Sequence, residues 1–192
     1  LKNYYLKKHL ITYIDLIINL SGYLIKDGLK VGDDSQVKVS VGLKEQLPTS
    51  IRFCKGQEEG SEDIALVRAI NEAKVEKEGI LLFDRGIAKT GTFVEFDEKK
   101  YKFITRIHLK RRYDIIRKNG IAQKQQPDGS EILEDITVNL YQAKSKVAEK
   151  HDLRLIKMRN KTGNEIWFLT NLFEMPAYEV TELYRCTRHN LI

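Results

Sequence analysis

Apolar positions recur along this chain with two different periods, and each period predicts a different kind of element. Residues 11–18 (ITYIDLII) are β-branched and aromatic, and residues 36–41 (QVKVSV) alternate with period two. Residues 50–54 (SIRFC) alternate again, after a turn expected at Pro48, so the first third of the chain predicts strands. The period then lengthens. Ser61 can cap a helix whose first turn holds Glu62 and Asp63, acids that suit a positive helix end. Ile64, Val67 and Ile70, flanked by Ala65, Leu66, Ala69 and Ala73, give that helix an apolar face through about Glu78, with Gly79 as its stop. Residues 80–83 (ILLF) predict a short buried strand, of the kind found in parallel sheets, ending in the carboxylate of Asp84.

A short helix is expected over residues 90–97 and a strand over 101–108 (YKFITRIH). More strand-like pieces follow up to Lys161, with turns at 127–130 (PDGS) and 161–164 (KTGN) and a strand at 165–170 (EIWFLT). Pro176, at a first-turn position, opens a last helix through Val180, Leu183 and Tyr184. The order is that of an α/β chain with a strand-rich segment before its final helix.

Composition narrows the class. The 192 residues suit one full domain, or one with a small appendage, and 42% hydrophobic content can build a sizeable core. Nowhere does an apolar run reach about 18 residues, so no bilayer span is expected. The apolar stretch at 10–20 is broken by Asp15 and Asn19 and lacks a small-residue cleavage site, so it does not read as a signal peptide. Cys54 and Cys186 match no metal or redox spacing and suggest reduced thiols in a cytosol. The chain begins at Leu1 rather than Met, as a piece of a longer protein would.

Charge adds a possible partner. The formal net charge is +6, but residues 99–118 hold nine Lys or Arg (99, 100, 102, 106, 110, 111, 112, 117 and 118) against one acid, Asp114. A second basic cluster comprises Lys150, Arg154, Lys157, Arg159 and Lys161. Such clustering is the footprint of a polyanion binder, and equally that of an ordinary solvated face.

Most catalytic signatures are missing. Gly86 to Gly91 has the spacing of a phosphate-binding loop, but Thr92 stands where its Lys is needed. The four histidines (9, 108, 151 and 189) have no zinc-ligand spacing, and no nucleophile elbow occurs. Two carboxylates remain. Asp15 lies in the middle of an apolar strand and Asp84 at the end of another, and a carboxylate in such a place faces solvent, pairs or ligates. Two such acids on neighbouring strands would make a hard-oxygen site suited to Mg²⁺, whose paired ions serve phosphodiester chemistry.

Four pieces in order bring a family into view: LFDRG (82–86), KFITR (102–106), WFLTN (167–171) and EVTELYR (179–185). Over about Thr12 to Arg185 they resemble the catalytic domain of bacterial insertion-sequence DDE transposases. The resemblance implies a ribonuclease-H-like mixed sheet with flanking helices and a strand-rich insertion. It divides the chain into a first part of the core (1–107), a basic insertion (108–164) and the last strand with a truncated helix (165–192). It implies metal-dependent hydrolysis and strand transfer of DNA phosphodiesters in a bacterial cytoplasm. Asp15 and Asp84 would be the catalytic ligands of Mg²⁺ or Mn²⁺. Arg106, Lys110, Arg111, Arg112, Arg185 and Arg188 would contact DNA phosphates, and Tyr184 matches the Tyr of the family's Y-R-E-K signature. Trp167 lies where relatives stack an aromatic on an unpaired base, although a strand Trp also packs as core. The parent protein would be a possible homodimer.

The departures from the family pattern carry expectations too. Ile87 replaces the Tyr after D-R-G, and Leu16-Ile17 replaces a small polar pair. Thr187 stands where Arg is expected, and the catalytic Glu position falls on Leu191. The family's N-terminal DNA-binding region is missing as well. The chain as given is therefore expected to bind but not to cleave DNA, as a truncated or degenerate copy. The competing readings are a non-catalytic DNA-binding or dimerising remnant, a nuclease with the same core, and a basic interaction domain whose D-R-G is coincidental.

Overall fold

The computed structural model describes residues 10–20, 29–31, 34–44, 47–53, 62–72, 79–84, 87 and 89–189, of which 10–20, 29–31, 34–40, 48–50, 52–53, 62–63, 65 and 186–189 are described by backbone alone. They fall into two compact units, one comprising 1–79 and 86–88, the other 80–85 and 89–192.

The first unit is antiparallel. Its long strands β1 (Leu10–Leu20) and β3 (Asp34–Lys44) pair along their whole length, with Asp15 opposite Ser40. The other edge of β3 is shared end to end by β2 (Leu29–Val31) and β4 (Leu47–Phe53). Pro48, expected in a turn, instead lies inside β4 opposite Leu43, beside a register shift at Gly42/Leu43. A strand at a sheet edge or next to an irregularity tolerates the missing N–H. Helix α1 (Glu62–Glu72) packs on β3 and buries Leu66, Ala69 and Ile70, as its spacing predicts. Ser61 and residues 73–78, the expected cap and last turn of this helix, lie outside the described residues.

The second unit is a mixed six-stranded sheet in the order β5-β6-β10-β9-β8-β7. β5 (Ile80–Phe83) pairs parallel with β6 (Lys102–Ile107) across helix α2 (Thr90–Glu98). All four β5 residues are buried, so the apolar run reads as it should for a covered strand. Phe83, Phe93, Phe96 and Phe103 close the space between α2 and these strands, with Phe103 lying 5.7–6.2 Å, ring centre to ring centre, from the other three. The remaining pairs are antiparallel: β6 with β10 (Glu165–Thr170), β10 with β9 (Leu153–Arg159), β9 with β8 (Glu131–Leu140) and β8 with β7 (Tyr113–Lys118). The strand-rich segment thus supplies three strands that extend one sheet.

Its turns use the chemistry the sequence shows. Gly129 and Gly163 both adopt positive φ (84° and 86°), a conformation that side chains disfavour. Helix α3 (Ala177–His189) follows Pro176 and rests against β6 and β8. The architecture is mixed α/β. Among the described residues no helix is long and apolar enough to cross a membrane.

Candidate functional site

The site forms where β5 ends. The parallel register sets Phe83 opposite Thr105, which brings the next residue of each strand, Asp84 and Arg106, side by side. Arg106 Nε donates to Asp84 Oδ1 at 2.8 Å and Nη2 to Oδ2 at 2.7 Å, a two-point fork that fixes the carboxylate plane. From α3, the Tyr184 hydroxyl donates to Asp84 Oδ1 at 3.3 Å. Tyr184 is itself 5% exposed and packs edge-on against Phe168 of β10 at 5.2 Å. Thr105 Oγ1 reaches the Asp84 main-chain oxygen at 3.4 Å. Hydrogen bonding to Asp84 raises the Arg106 guanidinium above its ordinary range, outweighing burial, with the Tyr184 and Asp84 charges adding to the rise. The cation is therefore permanent. Side-chain exposure is 39% for Asp84 and 18% for Arg106, so the carboxylate edge is open to solvent while the guanidinium is sheltered.

Asp15 occupies the middle of β1 in the first unit, and its side chain lies outside what is described. Among the described residues no group of three His, Cys, Asp or Glu side chains could hold a metal ion. Asp84 alone offers the donor chemistry of one hard-oxygen ligand: a carboxylate, fixed in orientation, reachable from water and already arranged around a cation.

The expected DNA contacts separate into engaged and open groups. Lys110 is exposed in the turn before β7, and Arg117 and Lys118 are exposed on β7 itself. Arg111 is tied inward by donating to Thr90 Oγ1 at 2.5 Å, at the start of α2. Arg112 lies 4.3 Å from the Tyr141 ring centre and reaches the Ser145 carbonyl at 3.4 Å. Trp167 is half-buried, stands edge-on to Tyr113 at 5.7 Å, and is covered by Lys157 Nζ at 4.7 Å. Burial pulls Lys157 down, but its hydrogen bonds to Glu134 and Tyr113 prevail and hold it above its ordinary value. Arg188 lies on α3, its side chain outside the described set.

Arg185 is bound to Asp128 and approaches Ser130 Oγ at 3.4 Å, tying the turn before β8 to α3. Burial alone would raise the Asp128 carboxyl, but hydrogen bonds from Ser130 and the charge of Arg185 hold it below its ordinary range. A lowered folded-state value stabilises the protein above the unfolded carboxylate range, and that gain disappears as pH falls through the lowered value. Both partners are about a third exposed, so Asp128→Asn is expected to cost less than about 1 kcal/mol at neutral pH. In strong acid the substitution should cost nothing. Urea titrations at the two pH values measure this, and a larger loss in acid would contradict it.

Two polar centres, one buried and one half-buried, escape sequence reading. Arg154, which the sequence places in a basic cluster, is instead 4% exposed and forks onto Asp135 at 2.9 and 2.5 Å. It also donates to the carbonyls of Leu172 and Met175 at 2.6 and 2.5 Å, just before α3 begins. Asn171 accepts from the Phe103 N–H at 3.0 Å and donates to Asp97 Oδ1 and the Tyr101 carbonyl, both at 2.8 Å, joining the end of β10 to α2 and β6. A base flanked by Leu153 and Leu155 in β9 was the available signal for the first. Asn171, at the end of WFLTN, marks the second.

No protein-family model matches the chain, and a search of curated proteins returns no significant match.

Proposed function

We propose that the chain is the catalytic core of a DDE transposase with a ribonuclease-H-like fold, acting on DNA in the bacterial cytoplasm. One observation carries the reading. Asp84, Arg106 and Tyr184 come from three separate motifs, 22 and 100 residues apart, and meet within hydrogen-bonding distance. A coincidental D-R-G gives no reason for that convergence. The β5-α2-β6 unit, with its acid at the carboxyl end of β5, suits the same reading.

In this account Asp84 would hold Mg²⁺ or Mn²⁺, and Asp15 is proposed as a ligand on its sequence motif alone. Such ions activate an attacking oxygen and stabilise the leaving 3′ oxygen. The chain's own residues do the positioning: Arg106 and Tyr184 set the orientation of the Asp84 carboxylate. Lys110, Arg112, Arg117 and Lys118, with Arg188, supply phosphate contacts, and Arg111, Arg185 and Trp167 shape that surface from their protein partners. Possible homodimerisation belongs to the parent protein.

Affinity for duplex DNA should fall with salt at a log–log slope of about −0.9 per phosphate neutralised. Charge reversal at Lys110, Arg112 and Lys118 is expected to flatten the slope, whereas a salt-insensitive affinity would leave these residues as a solvated face. Catalysis is tested by Mg²⁺- or Mn²⁺-dependent nicking of terminal-repeat DNA by the full reading frame. Asp84→Asn should reduce nicking to background, and nicking that survives this change overturns the proposal.

A further inference from the structure

We propose that β7 is a self-pairing edge through which two copies of this chain join, strand against strand and antiparallel. Among the described residues β7 is the last strand of its sheet, and five of its six residues are exposed. Ile115 and Ile116 are 50% and 52% exposed, two adjacent apolar residues on an edge. Two hydrogen bonds show which main-chain groups of β7 point outward. The Tyr141 N–H donates to the Arg112 carbonyl at 3.1 Å, and the Asn119 N–H donates to the Asp135 carbonyl at 2.8 Å, so Arg112 and Asn119 face β8. Main-chain groups alternate in direction along an antiparallel strand, so the adjacent Tyr113 and Lys118 turn theirs to the open edge. In a regular strand these two would face opposite edges. The irregularity between Ile115 and Arg117 inserts the extra residue that brings both to the same one. Antiparallel pairing centred between Ile115 and Ile116 then puts Tyr113 of each copy in hydrogen-bonding register with Lys118 of the other.

Charge selects a second copy as the occupant. In that register Asp114 lies opposite Arg117 of the second copy, and Arg117 opposite its Asp114, at the closely spaced positions of the new ladder. Both side chains are exposed, and neither has an ion pair among the described residues. Asp114 accepts from the Tyr141 hydroxyl at 2.9 Å, and Arg117 Nε donates to Asn119 Oδ1 at 3.3 Å, both neutral partners. Charges and bulges usually shield an edge from pairing. Here the opposite charges stand symmetrically about the two isoleucines, so antiparallel self-pairing turns them into attractions. Parallel pairing would set each charge against its own kind, which excludes that alternative. Arg117 thus serves the second copy, while Lys110, Arg112 and Lys118 keep the DNA contacts proposed above. The inference does not depend on the reading of Asp84.

The test is sedimentation equilibrium of the whole chain over a range of concentrations, with circular dichroism to confirm that each variant folds. The parent is expected to approach twice the mass of the chain as concentration rises. Asp114→Lys and Arg117→Glu each set like charges opposite one another and should weaken the dimer about tenfold. Both changes in one chain should restore pairing, and so should mixing the two single variants, since each then meets the opposite charge. A parent that stays monomeric at high micromolar concentration would overturn the proposal. So would a dimer indifferent to both reversals, or single variants that neither the combination nor the mixture rescues. None of these results bears on Mn²⁺ binding or nicking, so the pairing and the transposase reading fail separately.

Discussion

Arg154→Met is expected to lower the stability of the second unit by about 3–5 kcal/mol, because it leaves a buried carboxylate without its counter-charge. Asp135 has a fully buried side chain, and besides Arg154 it receives only the Asn119 amide, at 2.9 Å, among the hydrogen bonds described for it. Replacing both partners by apolar residues of similar volume often restores stability in such pairs. Here Arg154→Met with Asp135→Leu should recover only part, since the carbonyls of Leu172 and Met175 also lose their donor. Those carbonyls lead into α3, which carries Tyr184. Denaturant unfolding of the two variants checks both statements. A single variant within 1 kcal/mol of the parent would show that the pair contributes little.

Phe103→Ala is expected to cost about 3–5 kcal/mol as well, through lost burial and the cavity it opens. The ring is fully buried and lies against three others, Phe83 of β5 and Phe93 and Phe96 of α2. Its removal loosens the parallel pair that sets Asp84 beside Arg106, so the proposed metal-dependent activity should fall more steeply than folded population alone explains. Phe103→Leu, which keeps most of the volume, should recover the larger part of the stability. Thermal unfolding separates the two, with a fall in midpoint of about 10 °C or more for the Ala variant. Equal midpoints for Ala and Leu would mean that the cluster tolerates a void.

Much of this architecture is readable before any coordinate is seen, and for simple reasons. β5 is four apolar residues closed by a carboxylate, helix α1 follows its apolar spacing, and α3 begins just after Pro176. The turn glycines stand where positive φ is required. By contrast, β2 spans three residues, too few to show a period. The charged groups were harder still. Arg154 and Asp135 meet only because of the β8–β9 register, in which Arg154 faces Thr137 and Asp135 faces Ile156, making them diagonal neighbours. That register shifts between Ile132 and Glu134, which no local pattern announces. For the same reason a run of basic residues looked uniform in sequence, whereas folding turns Arg111 inward, stacks Arg112 on Tyr141 and leaves Lys110 exposed.

At the candidate site, Asp84 could be singled out from its place at the end of an apolar strand. Its partners could not be derived from spacing. Tyr184 is 100 residues away and reaches Asp84 only because α3 lies against β6, and Arg106 reads in sequence as one more base in a basic strand. Only the likeness of their short motifs to a transposase core suggested that they belong together.

The central proposal is that Asp84 is a divalent-cation ligand on a DNA-processing core. Crystals grown with Mn²⁺ and measured for anomalous scattering test it most directly. The account predicts an anomalous peak within coordination distance of the Asp84 carboxylate. Mn²⁺ bound only elsewhere on the chain, or not bound at all, would contradict it.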